Sequence, residues 1–129
     1  MKSLFLLFLS LISFEVFAQR LECDAIGVQI GYYDSSGIKK WSSMIHSTST
    51  IILTNDCVDI VGVYGKHFEI KEQVKNIISE SWTLDGWLAK DQDGKNCMLE
   101  VLYYKHNQET NIIIDYGNVS WLYKIGGCK

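Results

Sequence analysis

Four cysteines are the residues of this sequence whose chemistry is the easiest to anticipate. They stand far apart in the chain, at Cys23, Cys57, Cys97 and Cys128. In a short exported protein an even number of cysteines indicates disulfide bonds, and three pairings are open. We favour Cys23 with Cys128, because chain termini often lie close together, and this choice leaves Cys57 with Cys97. The alternative for Cys97 is a free buried thiol, since it begins a predicted strand on the core-facing register.

The cysteines and the three histidines are poorly spaced for a metal site. Zinc ligands usually come in close pairs such as Cys-x-x-Cys, whereas successive cysteines here are 34, 40 and 31 positions apart. His46, His67 and His106 are also isolated from one another. The stretch 91–96 reads Asp-Gln-Asp-Gly-Lys-Asn and places its glycine fourth, whereas a calcium loop needs it sixth. We therefore predict a turn at this stretch, no bound metal and no cofactor.

Two further residue groups could support hydrolysis, but neither has the expected pattern. Ser42 and Ser43 precede His46, but all three fall within one predicted strand or at its end, and no G-x-S-x-G elbow occurs. Carboxylates for glycoside chemistry would have to come from three predicted strands, where the side chains are expected to point to solvent: Asp59, Glu69 and Glu100. We predict no catalytic residue and no enzymatic activity.

Aromatic residues are the stronger lead to a function. The sequence contains four Trp and seven Tyr, and several predicted strands are apolar on both faces. A sheet with one solvated face does not require this pattern. The excess indicates a second covering layer, an enclosed pocket or a partner surface. The candidate binding aromatics are Tyr33, Trp41, Trp82 and Tyr104.

Strands are the elements that must position these residues. Isoleucine, valine and threonine are frequent and favour pleated sheets. Strands separated by about 8 to 12 residues, with Gly, Asn and Asp at the turns, are typical of an antiparallel meander that forms a small barrel or a sandwich. The alternation of apolar and polar residues predicts strands at 26–32, 38–45, 50–54, 58–64, 67–72, 76–82, 86–90, 96–104, 110–116 and 119–125.

One segment has an ambiguous period. Ile70, Val74, Ile77, Ile78 and Trp82 follow helical spacing, with polar residues between them. A helix here would have to start inside a predicted strand. We predict a strand at 76–82 and keep one short helix near 70–82 as the alternative within an all-β fold.

The N-terminus has the pattern of an export signal. Lys2 precedes an apolar run at 4–14, and residues 16–18 suit signal peptidase, so we predict a signal peptide at 1–18. The remaining 111 residues, about 43 % apolar, would form a single β domain at 19–129. The protein would then act in the periplasm or outside the cell, with no stable membrane insertion after signal removal.

Charge and composition limit the classes of molecule that the protein is expected to bind. The net charge is −3, and no basic stripe is present, which argues against nucleic acid as a partner. We expect a non-catalytic binding or inhibitor-like module that uses an aromatic sheet face, with an unidentified protein as its partner. The alternative is a small β-barrel that binds an apolar small ligand, and a hydrolase is the least favoured function.

Overall fold

The computed structural model describes residues 20–62 and 65–129, and the fold is all-β. No helix occurs in these residues, so the alternative of a short helix near 70–82 is wrong. The predicted signal peptide at 1–18 lies outside the described residues. The described residues form nine strands: β1 (Leu21–Tyr33), β2 (Lys39–Trp41), β3 (Ile45–Leu53), β4 (Cys57–Val61), β5 (Lys66–Ile78), β6 (Trp82–Asp91), β7 (Asn96–Tyr104), β8 (Thr110–Asp115) and β9 (Val119–Cys128).

The sheet is antiparallel and closes into an eight-stranded barrel. Strands β3 to β8 each pair with the next strand in sequence, and β9 returns to pair with β1. This last pairing runs from Cys23 opposite Cys128 to Tyr32 opposite Val119. The predicted antiparallel meander is confirmed, and of the two expected architectures the barrel is the one formed.

Strands β2 and β3 lie end to end along the edge of β1 that faces away from β9. β3 pairs with the first part of β1, and the short β2 pairs with its last three residues. Between them, the Ser42 amide donates to the Ile30 carbonyl oxygen at 2.8 Å, and the Ser42 hydroxyl accepts from the Ile30 amide at 2.9 Å. The predicted strand at 38–45 is therefore interrupted, although one edge of the barrel wall continues through it.

The barrel interior contains the apolar core. Trp87 and Phe68 are the largest fully buried side chains. Burying one such side chain stabilises a fold by about 1.5–3 kcal/mol, so the cluster accounts for much of the cohesion of the barrel. It contains Leu21, Cys23, Ala25, Ile51, Leu53, Val58, Ile60, Phe68, Trp87, Ala89, Cys97, Leu99, Val101, Ile112, Ile114 and Tyr123.

Strand β5 contains two bulges that explain its misleading sequence pattern. The pairing with β6 skips Lys71 and Val74, and each extra residue shifts the alternation by one position. Gln73 and Asn76, three positions apart, therefore both reach the buried Asp85, donating to its Oδ1 at 2.9 and 2.6 Å. The predicted strand at 76–82 is the end of β5, a turn at 79–81 and the start of β6.

A disulfide bond joins Cys23 to Cys128, as favoured from the sequence. The two residues are direct register partners on β1 and β9. The bond therefore lies across the seam at which the first and last strands of the barrel meet, and it closes a separation of 105 residues.

The expected second disulfide, Cys57 with Cys97, is wrong, because both are free thiols. Cys57 alternates with the buried Val58 on β4 and therefore lies on the outer face of the wall. Cys97 is buried inside the barrel on β7, with its Sγ atom 3.7 Å from the Ala89 carbonyl oxygen. The two thiols lie on opposite faces of strands that are not neighbours, which excludes a bond between them.

Candidate functional site

A cavity of about 520 Å³ opens at one end of the barrel, here called the mouth. At this end β1, β4, β6 and β8 finish and β2, β5, β7 and β9 begin. Its volume falls in the range of small-molecule sites, which are often found in the mouths of β-barrels. The cavity is lined by Val28, Ile30, Ile45, His46, Ser47, Thr48, Ser49, Ile60, Lys66, Trp121 and Tyr123.

Small residues leave this part of the interior unfilled. Ala25 on β1 pairs with Ser49 on β3, so two small side chains face each other where larger ones would meet. The pairing of β1 with β3 is irregular between Ala25 and Gly27. The alternation of inward and outward side chains therefore shifts between the core and the mouth. The bulky side chains of Trp87 and Phe68 belong to the filled core and do not line the cavity. The barrel is therefore packed in one part and open in another.

Lys66 supplies the positively charged side chain of the cavity wall. It alternates with the buried Phe68 on β5 and pairs with the buried Ile60, so its side chain takes the inner register. Its Nζ atom lies 5.2 Å from the ring centre of Trp121 and 5.4 Å from that of Tyr116. Both distances are typical of cation–π contacts. The ammonium group is thus held beside two aromatic faces at the cavity wall.

A groove beside the mouth has Lys66 and Trp121 in common with the cavity. It has a volume of about 730 Å³ and lies between the residues of the β6–β7 hairpin and those of the β8–β9 hairpin. The residues that line it are Lys66, Asp91, Gln92, Asp93, Gly94, Lys95, Asn96, Tyr116, Asn118, Val119 and Trp121. A molecule in the cavity could therefore extend into the groove past Lys66.

Asp91 organises the groove through both of its carboxylate oxygens. Oδ1 accepts the amides of Asp93 and Lys95 at 2.9 Å, and Oδ2 accepts the Tyr116 hydroxyl at 2.9 Å. Burial alone would raise the pKa of Asp91, but these three hydrogen bonds outweigh it and lower the pKa below its ordinary value. Burial, together with the hydrogen bond to this carboxylate, raises the pKa of Tyr116 well above the ordinary tyrosine value.

Two of the four predicted binding aromatics lie together on the outer face near the mouth. The Lys39 Nζ atom is 4.9 Å from the Trp41 ring centre and 5.8 Å from that of Tyr33. Gly31 makes this possible, because a Cβ atom there would lie 2.8 Å from Cζ3 of Trp41. The Lys39 ammonium also donates to the hydroxyl of the buried Ser120 at 2.7 Å. Lys39 thus lies beside both rings, and Tyr33 and Trp41 remain exposed.

The other two predicted aromatics lie elsewhere. Trp82 begins β6 and Tyr104 ends β7, so this register pair stands at the end of the barrel opposite the mouth. Both side chains are half-buried. The structure therefore brings the four aromatics together as two separate pairs and not as one face.

The hydrolase candidates do not converge. The Ser42 hydroxyl is bonded to backbone atoms of Ile30 and Ser43. The three carboxylates each contact a different partner: Asp59 Oδ1 lies 2.6 Å from His67 Nδ1, Glu69 pairs with Lys71, and Glu100 pairs with Lys75. Over residues 20–62 and 65–129, no three His, Cys, Asp or Glu side chains are grouped so as to hold a metal ion.

Sequence reasoning missed Lys66 and the apolar residues around it. The signal was present, because Lys66 precedes Phe68 and Ile70 with strict alternation and so falls on the inner face. The strands predicted at 58–64 and 67–72 instead leave Lys66 in the connection between them. No helix that could cross a bilayer occurs in the part of the chain that the structure describes. Comparisons with protein-family models, with curated proteins and with solved structures each gave no match, so function has to be inferred from the barrel itself.

Proposed function

We propose that this protein binds a small, largely apolar molecule in the mouth of its barrel. The observation that carries the proposal is the cavity of about 520 Å³, whose wall includes Ile30, Ile45, Ile60 and Trp121. Eight-stranded barrels are wide enough to hold one small ligand when their interior is not filled by side chains. The interior of this barrel has such an unfilled region at the mouth.

The cavity wall combines apolar area with a few polar groups. Such a combination is common in ligand sites, where apolar contacts supply affinity and sparse polar groups set orientation. A ligand that buries about 300 Å² of apolar surface gains about 7.5 kcal/mol at 25 cal/mol per Å². Association costs at least about 4 kcal/mol, so apolar burial alone gives roughly millimolar affinity. Tighter binding requires a polar contact with the wall.

We place this binding outside the cytoplasm. The disulfide between Cys23 and Cys128 is consistent with an oxidising, exported compartment. The N-terminal pattern at 1–18 supports the same proposal from the sequence.

A neutral fluorescent probe tests the proposal. N-phenyl-1-naphthylamine would be titrated into the full chain after expression in an export-competent host. We expect saturable fluorescence enhancement with one probe per chain. Ile30→Trp places a larger side chain in the cavity from β1 and should lower the affinity for the probe at least tenfold.

Leu122→Trp is the matched control for this test. Leu122 pairs with Gln29, the residue next to Ile30, and alternates with the buried Tyr123 on β9, so it faces outward. The same enlargement there should leave probe affinity unchanged. Unsaturable binding to the wild type, or equal weakening by both substitutions, would contradict the proposal.

A second candidate function is the binding of a protein partner by the outer aromatics near the mouth. It is favoured by the exposure of Tyr33, Trp41 and Ile38 on one hairpin, with 50 %, 37 % and 60 % of their surfaces accessible. Capture of a defined protein from periplasmic or extracellular extract should be lost in Tyr33→Ser/Trp41→Ser. It should persist in Trp82→Ser, which alters the aromatic pair at the other end.

A further inference from the structure

We infer that the ligand of the mouth is an amphipathic monoanion, an apolar molecule with one terminal carboxylate-like group that pairs with Lys66. This inference rests on the proposed function and specifies its ligand class. It follows from the position, the neighbours and the charge of this one side chain.

Lys66 lies where its side chain would contact a ligand bound in the cavity. It stands on the inner register of β5, between the apolar cavity and the polar groove, and it lines both. The cavity can hold an apolar body, and the ammonium group stands at its border. A bound amphipath would therefore place its body among Val28, Ile30 and Ile60 and its charged end at Nζ.

The ammonium group forms no ion pair with a described carboxylate. All ion pairs of the described residues involve other cations: Arg20, Lys40, His67, Lys71, Lys75 and Lys124. Asp91 faces the same groove, but its two oxygens are already bonded to the amides of Asp93 and Lys95 and to the Tyr116 hydroxyl. A half-buried cation without such a partner has lost part of its hydration. An anionic ligand would restore a strong electrostatic contact.

The surroundings favour an anion over a cation. No Asp or Glu is among the described residues that line the cavity, although Asp91 and Asp93 line the adjoining groove. A cationic ligand inside the cavity would therefore meet Lys66 without compensation. The rings of Tyr116 and Trp121 hold the ammonium from the sides and do not neutralise it. Hydrogen bonds between an ammonium and a carboxylate are about twice as strong as neutral ones. A single negative charge is therefore the complement of this wall.

The experiment compares two ligands of equal chain length. Octanoate and 1-octanol would each displace N-phenyl-1-naphthylamine from the full chain at neutral pH. We expect octanoate to bind at least tenfold more tightly than octanol. Increasing salt should lower the affinity for octanoate and leave the affinity for octanol unchanged, because ions screen the attraction between the two charges.

Three variants isolate the role of the charge. Lys66→Met keeps the aliphatic length and should abolish the preference for octanoate while octanol still binds. Lys66→Arg should retain the preference. Lys71→Met removes a lysine from the same strand whose ammonium group pairs with Glu69 outside the cavity, and it should change neither affinity.

The outcomes separate this inference from the function beneath it. Equal affinity of wild-type protein for the two ligands, without salt dependence, would overturn the inference and leave apolar binding standing. Displacement by neither ligand, with no saturable probe binding, would overturn the proposed function as well. The salt titration on wild-type protein decides the inference even if Lys66→Met fails to fold.

Discussion

The Tyr116 hydroxyl donates a hydrogen bond of 2.9 Å to Oδ2 of Asp91, and this contact joins the β8–β9 hairpin to the β6–β7 hairpin across the groove. Oδ1 of the same carboxylate accepts the amides of Asp93 and Lys95 within its own turn. The two hairpins are thus fixed relative to each other at the place where Lys66 stands between the Tyr116 and Trp121 rings.

Tyr116 should resist ionisation in the folded protein. Burial, its hydrogen bond to Asp91 and the negative charge of Asp91 raise its pKa above the ordinary value. Absorbance at 295 nm should show no ionisation of Tyr116 at about pH 11, where free tyrosine is largely ionised. Tyr116→Phe should therefore leave the native titration up to about pH 11 unchanged and remove one tyrosine from the titration in denaturant.

The raised pKa of Tyr116 also determines how the free energy of unfolding changes with pH. A pKa that is higher in the folded than in the unfolded state gives a contribution that is complete below the unfolded value. That contribution is lost as the pH rises above about 10 toward the folded value. The free energy of unfolding should therefore fall with rising pH in this window, and less steeply in Tyr116→Phe. A variant with the same slope as the wild type would contradict this assignment.

The two free thiols should differ in reactivity. Burial, with smaller contributions from Asp59, Asp56 and Glu69, raises the pKa of Cys57, which is half-buried on the outer face. Burial raises the pKa of Cys97 to about 11 inside the barrel. Because the thiolate is the reactive species, iodoacetamide at about pH 8 should modify Cys57 first. Cys97 should react only after denaturation.

Mass spectrometry of the modified protein checks the cysteine assignment. Without reductant, the denatured chain should accept two alkyl groups, and peptide mapping should place both outside the Cys23–Cys128 crosslink. Detection of no free thiol would restore the second disulfide expected from the sequence.

Removal of the Cys23–Cys128 disulfide should strongly destabilise the barrel. The bond closes a separation of 105 residues, for which the chain-entropy treatment gives a stabilisation of about 4–5 kcal/mol. Denaturant unfolding of Cys23→Ser/Cys128→Ser should show a loss of this order. Cys57→Ser is the control and should change stability by less than about 1 kcal/mol, since Cys57 is half-buried and unpaired. A double variant as stable as this control would contradict the prediction.

Gly31 should tolerate no side chain. A Cβ atom there would lie 2.8 and 2.9 Å from two carbons of the Trp41 ring. Gly31→Ala should therefore displace the ring and cost about 1–3 kcal/mol, with a shift in tryptophan emission. Gly127→Ala offers a matched comparison, because nothing lies within 4 Å of its Cβ position. Equal stability of the two variants would show that the ring moves without penalty.

Regular alternation made much of the fold predictable. β7 was predicted at its observed bounds, and β8 and β9 began at the predicted residues, because inward and outward side chains alternate regularly in β7 and at the start of the other two strands. β5 was not predictable in this way. Its bulges at Lys71 and Val74 add residues to one strand only, and the resulting spacings of three imitate a helix. A short window of sequence does not show which strand pairs with β5, so it cannot reveal that β5 has two residues more than the paired stretch of β6.

The candidate site was less accessible from sequence than the fold. The excess of apolar residues predicts more covered surface than a sheet with one solvated face has, but it could not separate a cavity wall from an exposed patch. The apolar lining comes from β1, β3, β4 and β9, whose meeting depends on barrel closure. The irregular pairing between Ala25 and Gly27 also places Ile26 on an exposed position, whereas regular alternation would put it on the same face as Val28 and Ile30.

The bond between the first and last strands also closes residues 23–128 into a covalent ring. A protease that cuts any single turn between Cys23 and Cys128 leaves the pieces tied together and held by their neighbouring strands. Tension applied at the two ends is carried by the sulfur–sulfur bond before it reaches the ladder of β1 and β9. In the exported compartment proposed above, a barrel cut at one turn would still keep the residues that line its mouth together.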